Sequence, residues 1–391
     1  MSRSVGDWCE VEDAHAGAID VHAGGARRKE VQMTGHSGSV QRSGGRAEGW
    51  RSEAQGGATE RGIMGRDGTM SAARGRRAPR RSMRALPVTE GDAECVVRIG
   101  EPGTYYVDRA IGWEVGKHGI VIDSCGVWMD LNGYELVGGE GSRSGIEVRA
   151  EAGAVIRGGT IRGWGEHGID ASESACTRVE AARCVENARD GVRLGPSGLA
   201  DDVMACDNGG AGIEAGAGCT LRDCQAFSNA SHGLVCEESC RVIDSLATAN
   251  AGDGMALGAG SQARGSASRH NLGSGFRVGE LGSLIECDAM GNEGDGIVVG
   301  SDGVVMRCRS HGSRRGAGIR VKGQGSRIDE NTCLENRVGI AAERGGNMVT
   351  RNAIGASVEA AIDAAPGNRV GRLAGPPGSA QGDAGWSNVV L

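Results

Sequence analysis

The sequence predicts an all-β solenoid, and three observations predict it. An Asn, three variable residues, a Gly and a bulky apolar residue recur every 21 residues, six times in register, beginning at Asn187, Asn208, Asn229, Asn250, Asn271 and Asn292. A period in this range marks one supersecondary unit that hides its apolar face only by stacking on its neighbours. After each Gly the order is apolar, variable, apolar, as in Val192-Arg193-Leu194 and Phe276-Arg277-Val278, and alternation with period two is strand rather than helix. A second short strand falls near Leu221, Val242, Leu284 and Val305, and a third near Ala226, Ala247 and Ala289. Turn residues fill the spaces between, so no repeat has room for a helix. Three strands per coil, with coils hydrogen-bonded about 4.8 Å apart, make a parallel β-helix.

The Gly-apolar pair extends the repeat in both directions. Upstream stand Gly119-Ile120, Gly145-Ile146 and Gly168-Ile169; downstream stand Gly318-Ile319, Gly339-Ile340 and a degenerate Ala361-Ile362. This sets the solenoid at residues 119–364, about 11–12 coils of about 21 residues each. Stacking turns each repeat position into a column. One interior column runs from Ile120 through Ile146, Ile169, Val192 and Ile213 to Ile362. The six asparagines form a column in the turn before that strand, where Asn tolerates left-handed backbone angles and stacked carboxamides bond one another. Removing a central member such as Asn229 is expected to cost about 1–3 kcal/mol through unpaired partners. Trp164 stands four residues before Gly168, in the Asn column, and is expected to end the ladder over Asn187.

The repeat resembles those of the right-handed parallel β-helix proteins of the pectate-lyase-like superfold. The segment Val127-Trp128-Met129-Asp130-Leu131-Asn132-Gly133-Tyr134, with Gly145-Ile146 and Ile161-Arg162-Gly163-Trp164 after it, is similar to the opening of a group of uncharacterised bacterial β-helix proteins. The resemblance covers residues 96–391 and implies the fold and its handedness. The superfold hosts lyases, hydrolases, esterases, epimerases and phage tailspikes, so it does not choose an activity.

Residues 1–85 read differently. They are rich in Gly, Ser, Ala and Arg and end in a basic run from Arg74 to Arg84, a composition expected to stay disordered because it buries too little to offset ordering entropy. Translation beginning at Met70 or Met83 is an alternative reading of this segment. No apolar run follows Met1 as a secretory signal requires, and no stretch has the length of a membrane span. Residues 86–118 are expected to cap the first coil, with Tyr105, Tyr106, Trp113, Trp128, Tyr134 and Trp164 packing at that end. Residues 365–391 are expected to fold over the last coil, with Trp386 covering its apolar end.

Composition agrees with a tightly turned solenoid. Gly accounts for 71 of 391 residues, far above the usual share of about 7%. A net charge of −7 and only three lysines, Lys29, Lys117 and Lys322, argue against a nucleic-acid partner for the folded part. The 13 cysteines include Cys219 and Cys240 at one repeat position and Cys224, Cys287 and Cys308 at another, expected as reduced apolar fillers interchangeable with Ser245 and Ser266. No CxxC occurs, the Cys and His spacing offers no tetrahedral metal site, and no motif names a cofactor.

Chemistry is expected on outward columns. Two residues after the Gly stand Glu147, Asp170, Arg193 and Glu214; just before it stand His118, His167, Asp190, His232, Asp253 and Asp295. In a catalytic reading Arg193 neutralises a sugar carboxylate, His167 acts as base, and Asp170, Asp190 and Glu214 bind a metal or bind and orient the substrate. The bland reading is that these charges pair across strands and cap turns. Asp253, Arg277, Asp295 and Arg320 repeat the pattern more weakly. Three functions fit: a polysaccharide-binding or surface-associated solenoid without turnover, favoured by coils without long inserted loops; a lyase or epimerase acting on acidic glycans; and a tailspike-like structural protein. The sequence names neither ligand, oligomeric state nor compartment, and leaves open whether the protein is an enzyme.

Overall fold

A computed structural model describes residues 84–85, 91–375 and 386–391. Most of the segment expected as a disordered tail, including all but Arg84 of its arginine run, lies outside the described residues, as does Pro376-Pro377-Gly378.

The described chain is a parallel β-helix with three long sheets. We call them by their order along a coil. The lead sheet holds the strands that follow the repeat glycines, the middle sheet the next strand of each coil, and the return sheet the third. The lead sheet has 13 strands, from Cys95–Ile99 to Ala360–Ala364. The middle sheet has 14, from Arg84–Ala85 to Arg369–Val370, and the return sheet has 13. Every pairing is parallel and in register, as in Ile169 with Val192 and Val192 with Ile213. The predicted interior column is realised from Ile120 to Ile362.

There are more coils than the glycine count gives, because both ends wind without the repeat motif. Cys95–Ile99 pairs with His118–Ile122, Gly103–Tyr106 pairs with Val127–Asp130, and Ile111 bridges Leu136. At the far end Asn388–Val390 inserts between Ala353–Gly355 and Leu373–Ala374 in the return sheet. Trp386 does not cover an apolar end as expected; it is 66% exposed. The neighbouring Asn388 is the buried residue, and it accepts from the backbone N–H of Asn352 at 3.0 Å. The aromatic cluster at the first coils also divides. Tyr105 and Trp164 are buried, whereas Trp113, Trp128 and Tyr134 stay partly exposed.

The asparagine ladder is continuous from Asn187 to Asn292. Each Nδ2 donates to Oδ1 of the next Asn at 2.9–3.0 Å. For Asn229, Nδ2 also donates to the Ala205 carbonyl at 3.1 Å, and Oδ1 accepts from the Asn208 amide at 3.1 Å. Such a buried network is stable because every donor and acceptor is used. One expectation needs correction: the left-handed residue is not the Asn but the one before it. Glu186, Asp207, Ser228, Ala249 and His270 have φ between 53° and 56°. That residue turns the corner, which leaves the Asn side chain directed along the stack.

Trp164 ends the ladder. Its backbone N–H donates to Asn187 Oδ1 at 3.2 Å, and its indole Nε1 donates to the Leu136 carbonyl at 3.2 Å. The ring lies beneath Gly119, where an added Cβ would stand 2.7 Å from Cη2. Two further ladders form at the other corners late in the helix, Asn331 to Asn352 to Asn388 and Ser326 to Asn347 to Asn368. No disulfide joins the described cysteines. Those at corners do more than fill space: Cys219 Sγ accepts from the Gly198 amide at 3.2 Å. Among the described residues no helix is long and apolar enough to cross a membrane.

Candidate functional site

The lead sheet presents one charged file across its strands. Register places Glu147 beside Asp170, Asp170 beside Arg193, and Arg193 beside Glu214. Arg193 reaches all three nearby carboxylates, Asp170 at 3.5 Å, Asp190 at 3.8 Å and Glu214 at 3.6 Å. Burial works against its charge, but Glu214, Asp170 and Asp190 outweigh it and raise its pKa. His167 lies 3.2 Å from Asp190 through Nδ1 and 3.9 Å from Asp170 through Nε2. The structure thus gathers Arg193, His167, Asp170, Asp190 and Glu214 into one cluster. Counted formally, three carboxylates and one guanidinium leave it net acidic.

The column before the glycine differs from the outward one expected. His118 is fully buried, and His167 and Asp253 are 5% exposed. Each side chain spends an acceptor on the backbone of the next coil. His118, His167 and His232 accept through Nδ1 from the amides of Ser144, Asp190 and Asp253, at 3.3, 3.2 and 2.8 Å. Asp190, Asp253 and Asp295 accept through Oδ1 from Ala211, Ser274 and Ala317, each at 2.6 Å. The reason is positional: a side chain in this turn lies over the amide one coil on, which needs an acceptor. For His167 the bond has a chemical consequence. With Nδ1 accepting that amide, a neutral ring carries its proton on Nε2 and presents a donor towards Asp170; a ring protonated at Nδ1 donates instead to the Asp190 carboxylate, also 3.2 Å away. Burial opposes ionisation of Asp190, but the His167 ring, the Ala211 amide and Arg193 hold its pKa below the usual carboxylate value.

Glu147 and His118 stood in the two columns without an assigned role, and here burial perturbs both. Burial, reinforced by Asp170, pushes the Glu147 carboxyl up to about 7. Burial, with Arg143 and Arg149 nearby, holds the His118 imidazole down to about 4. Their Nδ1 and Oε2 atoms are 3.6 Å apart, and His118 Nε2 is buried with no hydrogen-bond partner. A carboxyl that titrates near neutrality in such a place is a candidate proton donor or acceptor. Burial, the deciding factor, is invisible in the residue spacing.

Elsewhere along the file arginines are also paired. Arg98 is held by Asp92 at 2.6 Å, by Glu94 at 2.9 Å and by Asp123. Arg277 bonds Asp253 at 2.7 Å, and Arg320 bonds Asp295 at 2.8 Å and Glu343 at 3.0 Å. Among the described residues no group of three or more His, Cys, Asp or Glu side chains is arranged to hold a metal ion.

A family model described as "Right handed beta helix region" matches residues 107–272. No curated protein matches the sequence. Among solved structures, a variant of the periplasmic alginate epimerase AlgG aligns over 75% of this chain and 78% of its own, at 11% identity and a TM-score of 0.51. A mannuronan C-5 epimerase A-module from Azotobacter vinelandii aligns over 74% of this chain and 90% of its own, at 13% identity and a TM-score of 0.45. The Dettilon tailspike protein aligns over 74% of this chain, at 13% identity and a TM-score of 0.45, and the chain spans 61% of that protein. At these identities the likeness is one of fold.

Proposed function

We propose that this right-handed parallel β-helix repeat protein binds polysaccharide along the outward face of its lead sheet and does not turn it over. One observation carries the reading: the guanidinium of Arg193 is ringed by Asp170, Asp190 and Glu214, and the arginines further along the file are paired in the same way. Paired charges held by neighbouring strands are pre-organised acceptors and donors for sugar hydroxyls, spaced at about 4.8 Å by the sheet itself. The same pairing leaves Arg193 poorly disposed to neutralise a substrate carboxylate, because three internal carboxylates already do that work. The net acidic cluster also disfavours a continuous polyanion as ligand. Solved β-helix neighbours include a periplasmic alginate epimerase, which supports a polysaccharide as the class of partner.

A second reading, a lyase or epimerase acting on acidic glycans, is favoured by the Glu147 carboxyl, poised at about 7 beside buried His118. Both readings are tested together. The full chain is applied to a glycan array, and the glycans it retains, with a panel of uronans, are incubated with it in the presence and absence of Ca²⁺. Retention without an unsaturated or epimerised product is the expected result. Product formation that Glu147→Gln abolishes would replace binding with catalysis.

A further inference from the structure

At the corner between the return and lead sheets, Gly291 and Gly312 stand where the five coils before them and the coil after them carry a side chain. The corner position is Glu186, Asp207, Ser228, Ala249 and His270, then Gly291 and Gly312, then Glu335. A Cβ at Gly291 would stand 2.7 Å from Nδ1 of His270, so that imidazole lies along the floor which the missing side chains leave open. The result is a recess of about 370 Å³, within the range of small-ligand clefts, about 300–1,000 Å³.

The same level carries a one-residue insertion. In the six repeats three residues separate the ladder Asn from the Gly; here Arg314, Arg315, Gly316 and Ala317 separate Ser313 from Gly318. Ser313 holds the ladder position, since its amide donates to Asn336 Oδ1 at 2.9 Å. The extra residue therefore projects two arginines at the mouth of the recess. Arg315 is paired with Glu293 at 3.1 Å, and His311 lies 3.6 Å from Glu335. Arg314 is exposed and pairs with no carboxylate among the described residues. The recess also has an apolar wall in Met290, which neighbours His311 in the return sheet. It combines an exposed guanidinium, two imidazoles, the carboxylates of Glu293 and Glu335 and a thioether face.

We infer that this recess binds the carboxylate-bearing ring of a uronic acid residue, with Arg314 pairing its carboxylate. The inference rests on the polysaccharide reading and deepens it. The recess borders the lead sheet, so a chain lying on that face can turn an acidic residue into it. The ligand is then a polysaccharide with spaced acidic residues rather than a continuous polyuronan, which the acidic cluster around Arg193 would repel. Arg314 supplies a planar fork for the carboxylate, His270 and Glu335 can meet ring hydroxyls, and Met290 can meet the ring's apolar face.

The test is histidine-resolved NMR of the full chain, whose eight histidines are assigned by single substitutions, titrated with glucuronate, glucose and inorganic phosphate. Glucuronate should move the His270 and His311 signals, glucose should not, and phosphate should act at least tenfold more weakly. Arg314→Glu should weaken the glucuronate response at least tenfold, and Arg314→Lys should weaken it less. Unmoved His270 and His311 signals, an unchanged response in Arg314→Glu, or phosphate as effective as glucuronate would each overturn the assignment. The lead-sheet reading is reported separately by His118 and His167 with a longer mixed oligosaccharide. Movement there with His270 and His311 silent sinks only the recess, and silence at all four sinks both.

Discussion

His232 Nδ1 accepts the backbone N–H of Asp253 at 2.8 Å. Asp253 in turn accepts the N–H of Ser274 at 2.6 Å and holds Arg277 at 2.7 Å. Where a His or Asp precedes the repeat glycine, its side chain therefore joins one coil to the next. Replacing Asp253 by Ala strands a buried amide and frees an arginine, so Asp253→Ala should lose about 2–4 kcal/mol in urea unfolding. Asp253→Asn keeps an acceptor oxygen and should lose less than half of that. Equal losses would show that the contact to Ser274 contributes nothing.

Trp164 occupies an asparagine position, so Trp164→Asn lengthens the ladder by one carboxamide. It also empties the volume beneath Gly119 and Gly145 that the indole fills. Cavity formation outweighs a net hydrogen-bond gain of about 1 kcal/mol, because removing a buried aromatic costs about 3–5 kcal/mol. The variant should melt at lower temperature than wild type; a higher melting temperature would mean that the ladder, not the ring, dominates at this end.

Period-two alternation after Gly191 or Gly275 specified the lead strands residue by residue, since a one-residue slip in a strand exchanges its buried and exposed faces. The Asn column was equally legible, because identical residues at one period have a single stacked arrangement. The end coils were not, because Cys95–Ile99 and Asn388–Val390 pair through backbone groups that any side chain permits. In the charged file, sequence spacing brought Arg193 and its three carboxylates together. It could not separate a paired arginine from an available one, nor foresee that burial would single out Glu147. The placement of His167 against the Asp190 amide was hidden for the same reason: alternation gives a side chain's face, not its depth.

Ala249 turns its corner at φ 55°, a region that a Cβ disfavours by about 1–2 kcal/mol. Ala249→Gly removes that strain while adding unfolded-state entropy, and the balance should stabilise the protein by about 0.5–1 kcal/mol. Chemical denaturation of the two proteins side by side decides it. A destabilised variant would place the left-handed residue elsewhere in the corner.

The Glu147 carboxyl stands at about 7 in the folded protein against 4.5 ordinarily. A raised carboxyl binds its proton more tightly when folded, so its contribution to stability is complete below about pH 4.5 and is lost as pH rises through about 7. Glu147→Gln removes that loss. The variant should therefore exceed wild type by about 1–3 kcal/mol near pH 8, and the difference should vanish towards pH 4. His118 runs the other way. Held down to about 4, it contributes fully above about pH 6.5 and loses that contribution as pH falls through about 4, a limb that Glu147→Gln should leave in place. A constant difference between variant and wild type across this range would remove Glu147 from the set of perturbed groups.

The central claim, that the lead-sheet file is a pre-organised polysaccharide track, is tested most directly by calorimetric titration of wild type and Arg193→Ala with one array-selected oligosaccharide. Removing Arg193 leaves Asp170, Asp190 and Glu214 without their shared cation, so affinity should fall at least tenfold while the sheet signature in circular dichroism is kept. Equal affinity in the two proteins would contradict the account.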